Sequence, residues 1–145
     1  MNFKKVFTTV CLILFFAHGF SSTVSFHNRI KSGSACSDNE KLYQADAFIT
    51  VQSQNSNYKD ITLTKLALSQ SSGPIDVLAP QFKVLLKISY MCKRSGYGHG
   101  GEGIPVTCAS KAGNEIFSST AGDKNYDFVI SGDEDRFTCV EGGNG

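Results

Sequence analysis

Phe82-Lys-Val-Leu-Leu-Lys-Ile-Ser-Tyr-Met-Cys92 is the stretch on which the reading of this chain turns. Phe82, Val84, Leu86, Ile88, Tyr90 and Cys92 share one face, and Lys83, Leu85, Lys87, Ser89 and Met91 share the other. That period of two is what a half-buried β-strand needs, because successive side chains point to opposite sides of a sheet. The next segment, Lys93 to Gly103, carries Gly96, Gly98, Gly100, Gly101 and Gly103. So much glycine disfavours both helix and strand and predicts a loop. Ile104-Pro-Val-Thr-Cys108 is then expected to return as a second strand, with Pro105 near its start, where a missing N–H donor is tolerated.

Outward from this hairpin, residues 1–22 have the make-up of a secretory signal. Lys4 and Lys5 precede an apolar run from Val6 to Phe16, too short to span a bilayer, and Ala17-His18-Gly19 offers a small-residue cleavage site, with Ser21 or Ser22 as later alternatives. Removing Lys4 and Lys5 from the 14 basic residues leaves 12 against 13 acidic ones, a net charge near −1. That balance gives no electrostatic reason to expect nucleic-acid or anionic-membrane binding. About 120 residues remain, enough for one domain with a modest core. No later apolar run approaches spanning length, so no stable membrane insertion is expected.

Cys11 leaves with the signal, and Cys36, Cys92, Cys108 and Cys139 remain. An even count in a short exported chain predicts two disulfides. Three connectivities are possible. The favoured one joins Cys92 to Cys108 across the hairpin and Cys36 to Cys139 between the ends of the domain. The cysteines lack the CxxC spacing of a zinc site, and no metal or cofactor is expected.

Residues 23–35 are polar and predict a flexible leader. Ser37-Asp-Asn-Glu40 has capping-box form and predicts a short helix through Lys41-Leu-Tyr-Gln-Ala45, giving way to strand over Ala47-Phe-Ile-Thr-Val51. Gln52 to Asn57 is a polar turn. Asp60-Ile-Thr-Leu-Thr64 alternates, with a phase slip near Lys65 of the kind a β-bulge absorbs. Ser69 to Pro80, with its two Xaa-Pro steps, predicts an irregular connection. Strands are expected at Glu115–Ser119, Tyr126–Ile130 and Arg136–Val140, separated by glycine and Asx turns. Residues 36–140 thus form one β-rich domain and residues 141–145 a mobile tail. The expected class is β-rich α+β, an antiparallel twisted sheet with at most one short N-terminal helix, stapled by disulfides. The alternative is an all-β sandwich.

Little in the chain has the pattern of chemistry. Asp123, Asn125, Asp127 and Glu134 match the EF-hand spacing, but Phe128 stands where that loop demands glycine, so a hairpin turn is the better reading. The glycine run opens no helix and lacks the Lys-Ser/Thr of a phosphate-binding loop. His99 and Glu102, with Arg94 and Tyr97 nearby, are the candidate site. Imidazole, carboxylate and guanidinium together suit general acid–base attack on a phosphodiester. A flexible loop holds catalytic geometry poorly, however, and the same residues suit binding of a partner. Leu85, Met91 and Val129 lie opposite the presumed core face. They are core if the sheet is covered on both sides, and an adhesive patch for a protein partner if one side is open.

The whole organisation resembles the small secreted effectors of plant-pathogenic fungi: a signal, one compact β-rich domain, two bridges and no catalytic signature. Within that class the C-terminal third is similar in outline to the ribonuclease-like effectors of powdery mildews. A strand through a turn glycine, Val106 to Phe117 with Gly113, precedes a last strand ending in Phe137-Thr-Cys139. The resemblance implies a bridge from Cys36 to Cys139, a fold kept without its catalysis, and virulence-type action by binding a host protein or RNA. It transfers no catalytic residue. A secreted ribonuclease or other hydrolase using His99 and Glu102 is the alternative function.

Overall fold

The Phe82 alternation is realised as a 14-residue strand in the computed structural model, which describes residues 22–31, 36, 39–119, 124–133 and 136–142. Among these residues the chain runs through β1 (Ser22–Asn28), β2 (Lys41–Ser53), β3 (Ile61–Leu66), β4 (Ile75–Val77), β5 (Gln81–Arg94), β6 (Tyr97–Thr107), β7 (Phe117–Ser118), β8 (Asn125–Asp133) and β9 (Arg136–Glu141). No helix occurs among them, so the all-β alternative describes the chain better than α+β. Nor, therefore, is any helix of the described residues long and apolar enough to cross a membrane.

The strands form two sheets rather than one layer. The first has the order β4-β1-β8-β9, and the second β3-β2-β5-β6 with β7 paired to β5. Every neighbouring pair is antiparallel except β1 and β8, which run parallel with Thr23 opposite Asn125 and Asn28 opposite Ile130. Phe82, Val84, Leu86 and Ile88 of β5 share one buried cluster with Val24 and Phe26 of β1 and with Tyr126, Phe128 and Ile130 of β8. Aromatic rings join the two sheets: Phe82 lies edge-on to Tyr126 at 5.6 Å and Phe117 edge-on to Phe128 at 5.0 Å. Each such pair adds about 0.5–1.5 kcal/mol beyond the area it buries.

Three expectations are corrected by this packing. The supposed leader contains β1, an inner strand whose Val24 and Phe26 are fully buried. It read as polar because only alternate residues face the core, and the outward ones are Thr23, Ser25 and His27. The supposed helix through Ala45 is the start of β2, paired with β5 from Lys41 opposite Lys93 onward, with one bulge at Tyr43. A single turn of helical signal cannot compete with a continuous ladder of that length. Ser37, its supposed cap, lies outside the described residues, as do residues 1–21 of the expected signal, Asp123, Glu134 and the tail beyond Gly142. Within the tail, Glu141 belongs to β9 and the Gly142 N–H donates to the Asp127 carbonyl at 2.6 Å.

The glycine-rich segment is the third correction: it is strand β6, not a loop. Ser95 and Gly96 both have positive φ, 38° and 89°, and close a two-residue turn of the kind whose twist suits a hairpin. Glycine is then a steric requirement of the ladder. A Cβ on Gly100 would collide with the Tyr90 carbonyl oxygen, and one on Gly101 would stand 2.9 Å from the Tyr90 ring. Gly103, at φ 62°, absorbs an extra residue in β6, and its N–H donates to Ser89 Oγ at 3.2 Å. The bulge expected near Lys65 is present, because Thr64 and Lys65 together oppose Phe48.

The disulfides are Cys36–Cys92 and Cys108–Cys139, with Cα separations of 5.6 and 4.5 Å. The expected Cys92–Cys108 bridge is excluded by the hairpin itself. Cys92 pairs with His99 near the turn, whereas the Cys108 N–H donates to Val84 O at 2.9 Å, near the far end of β5. Eight residues of strand separate those points, roughly 26 Å at the usual rise per residue. Cys108–Cys139 instead joins the end of β6 to β9, where Ala109 bridges Val140, and so ties one sheet to the other.

Candidate functional site

The β5–β6 hairpin extends past the core as an arm. Tyr90 is the last residue of its face to meet an aromatic partner, Phe137, at 5.4 Å. Beyond it, Cys92 pairs with His99 and Arg94 with Tyr97, so Arg94, Tyr97 and His99 continue the core-facing side of β5 into solvent. Tyr97 is 85% exposed. The candidate residues are therefore brought onto one arm, and the carboxylate that meets the imidazole there is Glu40. His99 Nδ1 lies 3.1 Å from Glu40 Oε1, and Glu102 stands one residue before the bulge at Gly103. Sequence spacing missed Glu40 because it reaches the arm only through the pairing of β2 with β5, which sets the next residue, Lys41, opposite Lys93. Glu40, Cys92 and His99 place three possible donor atoms within 4.8 Å of one another. The Cys92 sulfur is held in the disulfide and offers no thiolate, so two ordinary donors remain. On the opposite side of the arm Lys93 Nζ sits 3.6 Å above the Tyr43 ring.

The solvent side of the five-stranded sheet is open. Phe48, Thr50, Leu85, Pro105 and Thr107 line a groove of about 510 Å³ together with Lys87, which stands on β5 between Phe48 and Pro105. Phe48 is 40% exposed and Met91 41%. Of Leu85, Met91 and Val129, Met91 is exposed and Leu85 half-buried on this open face, while the half-buried Val129 belongs to the other sheet. Phe48 could have been found from the sequence, since it lies out of phase with Ala47, Ile49 and Val51, all buried on β2.

A second cluster lies on the solvent side of the four-stranded sheet, and the sequence reading did not join its members. His27 of β1 stands between Ser71, on the strand-like approach to β4, and Asp127 of β8. Its Nδ1 is 2.7 Å from Ser71 Oγ and its Nε2 is 2.5 Å from Asp127 Oδ1. The three residues are far apart in sequence, so only the lateral order of the strands reveals them.

No protein-family model, curated protein or solved structure matches the chain.

Proposed function

We propose that this chain is a secreted, effector-type protein that acts by binding a host protein through the open face of its five-stranded sheet. The observation that carries the reading is the uncovered, largely apolar groove around Phe48 and Leu85, whose polar members are Lys87 and the threonines Thr50, Thr62 and Thr107. Apolar surface gathered in one place and rimmed by polar groups is what a protein interface leaves exposed when its partner is absent. The signal sequence and the two disulfides suit an exported protein. Support for acid–base chemistry at His99 and Glu102 is weaker, because the carboxylate beside the imidazole is Glu40.

The test is capture from host extract with the wild-type protein and with F48D and L85D. Phe48 is exposed and Leu85 half-buried, both on the face of the sheet opposite the core, so each variant should stay folded, checked by its melting temperature, while losing the captured protein by at least about tenfold. Capture that survives both changes removes the groove from the reading. If instead RNA is retained, and the retention falls with Lys83 and Lys87 changed to Ala, the partner class is wrong.

A further inference from the structure

We propose that Ser71, His27 and Asp127 form a nucleophilic site that is acylated at Ser71 by carboxylic esters, on the opposite side of the molecule from the binding face. The chemistry follows from the hydrogen bonds. A carboxylate can only accept, so Asp127 takes the bond from the Nε2–H of His27. That tautomer leaves the Nδ1 lone pair facing the Ser71 hydroxyl at 2.7 Å, the relation of a general base to the nucleophile it activates. Arg29 Nη2 lies 3.4 Å from the same Oγ, placing a fixed positive charge beside the reacting atom. The ring is used in the reverse sense to that of the chymotrypsin triad, Nδ1 toward serine and Nε2 toward aspartate, while the three roles are the same.

The support is rigid. His27 sits in an inner strand of its sheet, with β8 hydrogen-bonded on one side. On the other side residues 69–72 are laid against β1: Asn28 N–H donates to Gln70 O at 2.9 Å, Ser72 N–H to Phe26 O at 2.8 Å, and Phe26 N–H to Ser72 Oγ at 2.9 Å. Ser69 turns the chain into this position at φ 64°, a backbone conformation that costs a non-glycine residue about 1 kcal/mol or more and that collects near working sites. Arg29 Nη1 donates to the carbonyl of that same residue at 3.3 Å.

The side chains of His27 and Asp127 retain 27% and 39% exposure, so substrate can reach the serine directly. An open site supplies little desolvation, which favours an ester with a good leaving group over an amide. In the step, the Ser71 Oγ–H proton passes to His27 Nδ1 as the Oγ–carbon bond forms. The carbonyl oxygen takes the electron pair beside Arg29. Collapse breaks the ester C–O bond, and the departing alkoxide takes the proton from His27. Water then releases the acid from Ser71 by the same route.

The experiment treats the disulfide-intact protein with a fluorophosphonate probe and with p-nitrophenyl acetate, and locates the adduct by peptide mass mapping. One phosphonyl group is expected on Ser71, with none in S71A. H27Q should slow both labelling and ester turnover by at least about 100-fold, the usual worth of a positioned base. Should H27Q fail to fold, D127N reads the same relay from its other end, with an unchanged melting temperature as the control. Labelling no faster than in the heat-unfolded protein, labelling at another residue, or labelling that neither variant slows would overturn the proposal. Ser71, His27 and Asp127 would then be only a clamp across β1.

Discussion

Asn28 shows how one polar residue can register two sheets. It is fully buried, and its Nδ2 donates to the carbonyls of Ala45 in β2 at 2.9 Å and of Leu66 in β3 at 3.0 Å, while its Oδ1 accepts from the Ile30 N–H at 3.3 Å. The side chain therefore reaches from β1 in one sheet to two strands of the other. Asn28→Ala leaves two buried carbonyls without those donors, and we expect a loss of about 2–4 kcal/mol in urea unfolding. A loss under about 0.5 kcal/mol would show that water serves those carbonyls as well. Nothing in the sequence marked this residue. His27 and Asn28 sit in a polar stretch, and a side chain that turns inward at every second position looks the same as one in a tail. The burial of Asn28 is a consequence of the second sheet, and the second sheet is a long-range fact.

At the scale of elements, local pattern served well wherever a strand has one wet face. The alternation of β5, β8 and β9 was legible, and so was the bulge in β3, because each is written in the phase of neighbouring residues. The arm was not, since glycine composition outweighed the Ser95-Gly96 turn signal and the close approach of Gly100 to Tyr90 cannot be read without the ladder. Bridge connectivity failed for a related reason. Nearness in sequence suggested Cys92–Cys108, but a long hairpin carries those two residues to opposite ends. The two observed bridges span 56 and 31 residues, and the chain-entropy estimate is about 4 kcal/mol for either. Their local consequences differ. With Cys36 and Cys92 both changed to Ser, hydrogen exchange at Gly98 to Gly101 should quicken while the amides of Val84 to Ile88 stay protected. Equal loss of protection at both places would mean that the arm and the core open together.

The two sheets have no separate cores. Residues of β1, β2, β5 and β8 fall in one buried cluster, and the aromatic contacts cross from sheet to sheet. Unfolding is therefore expected as a single transition. With no tryptophan in the chain, the buried Tyr126, whose hydroxyl donates to Ser118 O at 2.6 Å, reports on the interior. The tyrosine fluorescence, of whose five emitters Tyr126 is the buried one, and the far-ultraviolet dichroism should change at the same urea concentration. Two separate midpoints would mean that the sheets melt independently. The parallel pairing of β1 with β8 sets the timetable of assembly: Thr23 must wait for Asn125, 102 positions later, and the Thr23 hydroxyl bonds that partner directly at 2.6 Å. Closing so distant a pair is slow. The earliest of the described strands is thus among the last to be locked, and a nascent chain halted short of β8 can pair β1 with β4 on one side while the backbone groups of its other edge stay open.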